Sequence, residues 1–368
     1  MSRLPASMTT LAIALAFTAN AHATPITAQQ TLQQFNAVVL TDVVSNSHVD
    51  GRTYVGGNVS GGDYTQHVSD TPASNYAGLT VRGNAANVRV NGLGAVVQGN
   101  FSNATVNAGE SVIGGNVNNS NLNGKAYVGG AVSNSNLNDG KASTQDALMQ
   151  QNANAAGSTD FGSILSGLSN TLALMNSTGS SVSFNGYGKA TFNAVANANG
   201  VAVFDLRSFD DVLFQSSEFA FNMNGATSVI LNSDMANVSI GANFLGGGAQ
   251  LFGSSMIWNF FNATSITTNA QFGGSILATQ ALLTNNQNIE GGVFVKELHQ
   301  NGELHLQPFS GNVDFAVERS CLARQGIEMQ FKLAAIMARQ HFIHKLAHHM
   351  YAKIRRQIAN AQFCALPP

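Results

Sequence analysis

The chain is poor in the residues that usually catalyse reactions or staple a fold. It has two cysteines, Cys321 and Cys364, both near the C-terminus. The body must therefore stabilise itself without disulfides or cysteine-ligated metal, and whether these two pair or stay free is left open. Charged residues make up only 10% of the 368, less than half the usual share. The surface must then be covered by uncharged polar groups, here Asn, Ser, Thr and Gln. No run of 18 consecutive apolar residues follows the N-terminal stretch, so no transmembrane segment is expected. Disorder does not explain the polar character, because the chain is 44% hydrophobic with a net charge of only −2.

What charge there is lies unevenly. Residues 24–310 hold 8 Lys+Arg against 16 Asp+Glu, and residues 311–368 hold 8 against 3. A mildly acidic body has no electrostatic footprint for nucleic acid. At the N-terminus, Arg3 precedes an apolar, small-residue stretch at residues 8–19 and then Ala21-His22-Ala23. This reads as a secretory signal over residues 1–23, cleaved between Ala23 and Thr24. An exported protein, secreted or on a bacterial surface, is expected.

What the chain does have is a repeat. Val81, Val97, Ile113 and Val128 recur at spacings of 16, 16 and 15. Two further apolar columns keep the same period: Ala85, Phe101, Val117, Val132 and Val90, Val106, Leu122, Leu137. Gly83, Gly99, Gly115 and Gly130 form a fourth column. Asn87, Asn103, Asn119, Asn134 and Asn91, Asn107, Asn123, Asn138 form a fifth and a sixth.

Columns one and two are four residues apart, so on a strand they face the same way. The glycines between them are expected on that inward face, where a strand bends or two backbones approach closely. Asn tolerates the left-handed conformation of a turn corner. Stacked Asn side chains can also hydrogen-bond in a ladder. A mainly β fold follows: a β-solenoid of coils about 16 residues long, each unable to bury its own apolar face but able to do so in a stack. An earlier partial copy, Val55-Gly56-Gly57-Asn58-Val59, precedes Val81 by 26 residues, which an insertion around Asp70-Thr71-Pro72 explains.

Residues 144–176 break the pattern. Phe161, Leu165, Leu168, Leu172 and Met175 follow helical spacing, with Ser158, Thr159 or Asp160 as cap. One long helix is expected to lie along the solenoid's side. From Val182 short β-rich runs return, separated by Gly and Asn, and read as longer coils completing the stack. Residues 324–361 form a basic helical pattern within a tail, 312–368.

Four segments in order resemble the choice-of-anchor A family: "LQQFNAVVLTDVVSNSHVDGRTYVGGNV", "DFGSILSGLSNTLALM", "IWNFFNATSI" and "GSILATQALLTNNQNIEGGVFVKELHQNGELHLQPFSG". The resemblance covers residues 26–311 of the 24–311 body. Thr279 departs from it, standing where the family usually has Pro. The resemblance implies an exported bacterial surface adhesin domain, β-solenoid-like with a helix alongside, as in bacterial ice-binding domains. It carries over no catalytic residue. Members bear varied C-terminal anchors, but this tail has neither an LPxTG-type motif nor a hydrophobic sorting helix. It could instead touch the envelope peripherally, dock a partner, or be an unselected extension.

Other chemistry is weakly supported. His341, His344 and His348 share a helix face but lack the glutamate of a zinc hydrolase motif in a basic setting. Asp205, Asp210, Asp211 and Glu218 supply carboxylates, yet glycoside hydrolysis needs two at a set separation in a cleft. Asp63 follows Gly61-Gly62 only once, unlike a calcium-binding repeat, and Gly246-Gly247-Gly248 reads as a turn. No catalytic residue, cofactor or metal site is expected. The function expected is adhesion, with a repetitive Asn/Ser/Thr-rich face binding polysaccharide or an extracellular protein surface multivalently. Ice binding, suggested by the Thr-rich stretch 264–269, and polysaccharide cleavage are the alternatives.

Overall fold

A computed structural model describes residues 26–311. The expected signal segment with Ala23 and Thr24, the basic tail, Cys321, Cys364 and the histidines at 341, 344 and 348 lie outside the described residues. The body is a β-solenoid. Each coil contributes a first, a second and a third short strand, as in Ala95–Val97, Phe101–Ser102 and Thr105–Val106. The next coil stacks on it in parallel register, Ala95 on Ser111, Phe101 on Val117 and Thr105 on Asn121. The first and second strands run through one 20-stranded sheet and the third strands through a nine-stranded one.

The three apolar columns fill the bore. Val81, Val97, Ile113, Ala85, Phe101, Val117, Val90, Val106 and Leu122 are all fully buried. The glycine column is not on a strand face as expected. It sits half-buried at the corner between first and second strands. A Cβ on Gly99 would lie 2.6 Å from the Gly83 carbonyl oxygen and 2.6 Å from Asn84 Oδ1. The glycines thus mark a close approach between coils, not a bend within one.

The stacking order is not the chain order. Val38 pairs with Tyr54 on one side and with Phe294 on the other. The chain therefore begins in the middle of the stack and winds outward to Lys141–Ala142. It then returns along the outside, re-enters at the opposite end at Val201–Asp205, and winds inward until Val293–Gln300 closes on the first coil. The expected completion of the stack by the later coils is real, but from the far side. Between these coils the register shifts from Ala278 to Leu282, the stretch containing Thr279.

The return path is the helical layer. Twelve first-strand rows at about 4.8 Å each span about 50 Å, too far for a loop that must also cover apolar surface. Two helices bridge it where one was expected: α2 (Ala147–Ser158) and α3 (Phe161–Ala173), with α1 (Ala28–Gln34) beside α3. Gly157, Ser158 and Thr159 are poor helix formers, and Asp160 starts a new helix by accepting from Ser163 N (2.9 Å). Asp146 caps α2 the same way through Met149 N (3.1 Å). Phe161, Leu165, Leu168 and Leu172 pack on the outward side chains Val203, Ile230, Ile257 and Leu277. Met149 and Ala156 of α2 pack near Val96 and Val112. First strands are accordingly buried on both faces.

The re-entrant half is wider. Ala202 pairs with Val229 and Leu231 with Trp258, so these coils are 27 residues long. A four-stranded sheet of Ser181–Phe184, Lys189–Asn193, Glu218–Asn222 and Asn243–Phe244 replaces the third face there. Its bore is aromatic: Phe192, Phe219, Phe244, Phe272 and Trp258 meet edge-on or stacked, with centroids 5.3 to 6.3 Å apart.

Candidate binding face

With the first face under helices, the second and third faces are left open, and the second carries the longer registered row. Its outward side chains stand in register, one per coil, at the roughly 4.8 Å strand spacing. In the thin half these are Ser133, Asn118, Ser102, Ala86 and Ser60. Across the closing seam they continue as Val44, His299, Thr284, Thr267 and Ser239. Most are short, hydroxylated or amide-bearing, and they form one registered row of hydrogen-bonding groups interrupted at Ala86 and Val44.

Asparagine columns edge this row. Asn87, Asn103, Asn119 and Asn134 take left-handed φ of 59°, 51°, 49° and 49° at the second corner. Asn119 Nδ2 donates to Asn103 Oδ1 (2.7 Å). In the other anticipated column, Asn107 donates to Asn91 (2.9 Å) and Asn138 to Asn123 (2.7 Å). These are paired rungs with gaps between them.

The continuous ladder lies elsewhere, in a column not singled out from the sequence. Asn58, Asn84, Asn100 and Asn116 follow the glycines. Each Oδ1 accepts the backbone N–H one coil further on: Asn84 N to Asn58 (2.9 Å), Asn100 N to Asn84 (2.8 Å), Asn116 N to Asn100 (2.8 Å), Ala131 N to Asn116 (2.8 Å). Asp42 starts the series by accepting from Asn58 N (2.6 Å). The corner breaks the strand ladder, and these side chains satisfy amides that would otherwise lack a partner. The 16-residue recurrence of Asn84, Asn100 and Asn116 was a usable signal. A second ladder crosses the seam: Asn46 to Asn301 (3.2 Å), Asn301 to Asn286 (3.1 Å), Asn286 to Asn269 (2.9 Å).

The seam also gathers ionisable groups on the third face. His305 Nδ1 lies 2.7 Å from Glu290 and its Nε2 2.8 Å from Glu303. His48 stands 3.5 Å from Asp50 and 3.8 Å from Glu303, and His67 3.6 Å from Asp50. Glu290 and Asp50 are buried, and Glu290 also accepts from Gln271 (2.7 Å) and Gln307 (3.0 Å). Burial alone would depress the His305 imidazolium, but its hydrogen bonds to Glu303 and Glu290 outweigh that and raise its pKa above the ordinary value. The His305 hydrogen bond in turn holds the Glu303 carboxyl below its ordinary value. Among the described residues no group of three or more His, Cys, Asp or Glu is arranged to hold a metal ion.

The candidate carboxylates do not converge. Asp205 is paired with Arg207 (2.6 Å). Asp210 is buried and accepts from Ser233 Oγ (2.7 Å), while the exposed Asp211 accepts from Val212 N (2.8 Å). Glu218 stands on the four-stranded sheet. Asp63 faces outward 3.7 Å from Arg89. Gly246 and Gly247 are left-handed turn residues with φ of 65° and 71°.

The molecule is thus a β-solenoid whose first and last coils meet inside the stack, clad in helix on one face. The chain belongs to the family described as "Putative Ice-binding-like adhesive domain", whose family model matches residues 28–306. No curated protein and no solved structure matches the chain significantly. Among the described residues no helix is long and apolar enough to cross a membrane.

Proposed function

We propose that the protein is an exported bacterial surface adhesin of the choice-of-anchor A kind, and that the bare second face is its adhesive surface. The observation that carries this reading is the in-register outward row from Ser133 to Ser239, none of whose side chains is buried. Weak polar contacts repeated at a fixed spacing gain strength through avidity toward repetitive partners such as polysaccharide or extracellular protein fibres. Rigidity helps, because the face loses little conformational freedom on contact. The experiment is retention of the mature protein on polysaccharide, collagen and whole cells, compared with a Ser60→Lys/Ser102→Lys double variant. Retention lost by the variant supports the reading; no retention of the wild type on any surface overturns it.

A second reading has one specific observation in its favour. Thr267 and Thr284 stack directly on the same face beside Ser239, the kind of hydroxyl and methyl array that ice binding would use. Thermal hysteresis near zero for the mature protein removes it.

A further inference from the structure

The helical layer has one gap, at the break between α2 and α3. Beneath it lies a cleft of about 680 Å³. Residues 157–162 form one wall; Leu40, Tyr54 and Gly56 form the floor, with Arg82 and Gln98 beside them. Leu40, Gly56, Arg82 and Gln98 are corner residues of four successive coils, each directly after a first strand. At about 4.8 Å per coil the cleft is a trough roughly 14 Å long, parallel to the stack axis. The next corner residues in that direction are the exposed Gly114 and Gly129, so no side chain closes that end.

The lining has a definite chemistry. Arg82 is exposed and, among the described residues, lies within ion-pair distance of no carboxylate. Its charge is felt by both the Tyr54 phenol and the Asp160 carboxyl, so it stands near the two at the floor and wall. The one carboxylate in the wall, Asp160, is occupied by α3: its oxygens accept from Ser163 N (2.9 Å) and Ser163 Oγ (2.7 Å). Gln98 offers an amide donor and acceptor at the open end, and Ser158 a hydroxyl. Gly157 has nothing within 4 Å of where a Cβ would be, so the wall is open to a ligand there.

One guanidinium, with the Asp160 carboxylate committed to α3 and hydrogen-bonding groups along the rest of an elongated trough, suits a ligand that brings one carboxylate to Arg82 and hydroxyls to its neighbours. A carboxylate can take two parallel N–H bonds from Arg. A ligand that must pair every unit with a cation, as a nucleic acid strand does, needs several, and residues 24–310 taken together are net acidic. We propose that the trough is a binding site for a uronate-containing oligosaccharide, laid along the stack axis with a uronate carboxylate on Arg82 and sugar hydroxyls on Gln98 and Ser158. The site is separate from the second face and stands whether or not that face is adhesive.

The test is calorimetric titration of the full chain with tetragalacturonate and with a hyaluronan tetrasaccharide, maltotetraose serving as the neutral control. At least one acidic probe binds the wild type, and maltotetraose binds it at least about tenfold more weakly. Arg82→Met, which keeps the aliphatic stem, weakens the acidic probe by at least about tenfold at an unchanged melting temperature. Gly157→Leu, which fills the open wall, weakens it too. Absence of binding by both acidic probes at millimolar concentration overturns the proposal, as does wild-type affinity in Arg82→Met or Gly157→Leu. Both variants keep the second face intact, so their retention on cells reports on the adhesive reading independently.

Discussion

The thin half and the wide half of this stack close the same kind of coil around bores of different size. In the thin half, coils of 15 or 16 residues enclose Val, Ile, Leu, Ala and one Phe. Asn side chains replace the backbone hydrogen bonds that each corner interrupts. In the wide half, coils of 27 residues enclose a cluster of interlocking rings. Small bores are filled by residues of one shape repeated, so position i must match position i+16. Larger bores are filled by irregular aromatic packing, in which each ring has its own neighbours. The thin half is therefore specified by columns and the wide half by individual contacts.

The largest expected effect breaks each half by its own rule. Val117 is fully buried between Phe101 and Val132. Val117→Asp places an unpaired charge in the narrow bore, and the loss is on the order of 4 kcal/mol or more. In the wide half, Trp258 is fully buried and donates from Nε1 to the Gly273 carbonyl (2.9 Å). Trp258→Ala leaves a cavity and an orphaned acceptor, at about 3–5 kcal/mol. Denaturant unfolding followed by circular dichroism measures both. A loss at Val117→Asp well below about 4 kcal/mol would contradict the column picture.

Next in size is Gly99→Ala. Its Cβ meets backbone on one side and the ladder amide Asn84 on the other. Either the coils separate or the Asn84 side chain leaves the Asn100 amide, so a loss of about 1–3 kcal/mol is expected. Gly179→Ala has open space instead but a φ of 91°. Its cost is the left-handed backbone alone, about 1 kcal/mol. Melting temperatures of the two variants separate stacking from conformation.

The same contrast explains what could be read from the sequence. Strict recurrence made the bore columns, the corner asparagines and the solenoid class visible. The ladder through Asn84, Asn100 and Asn116 was passed over because its fourth member is Ala131, whose side chain has no part in it; only its amide does. The order of coils could not be read at all. Periodicity says that coils stack on like coils, but not that Ser45 will accept Gln300 as neighbour, 255 residues away (2.7 Å). The seam residues of the candidate site, His48, Asp50, Glu290, Glu303 and His305, come together only through that closure. The α3 helix was visible from its apolar spacing and its cap, and α2 was not set apart from it, because only Met149, Asn152 and Ala156 mark its buried face.

The seam joins the two halves, and its pH response is expected to be smaller still. His305 has a raised pKa, so its contribution is fully present below the ordinary histidine value of 6.5 and is lost as pH rises through its folded value. Glu303 has a lowered pKa, so its contribution is present above the ordinary value of 4.5 and is lost as pH falls through its folded value. Stability should therefore be greatest between about pH 4.5 and 6.5 and decline as pH rises through the folded His305 value. His305→Gln should flatten the alkaline limb of a melting-temperature profile. An unchanged limb in that variant would remove His305 as its cause.

The smallest effect expected is at Ser133, on the outward row of the last thin coil. It is exposed, and its Oγ donates to Asn118 Oδ1 (3.0 Å). In Ser133→Asp the carboxylate can only accept, but the Asn118 amide can turn its NH₂ toward it, since an Asn side chain offers both groups. Nothing buried changes, and stability should stay within about 0.5 kcal/mol of wild type. The comparison with Val117→Asp, one coil away in the same sheet, is then between the same charge inside and outside a single strand layer. A large loss at Ser133 would mean that the outward row is part of what holds the thin half together. A neutral result leaves that row free to vary with its binding partner, which a scaffold with an adhesive face requires.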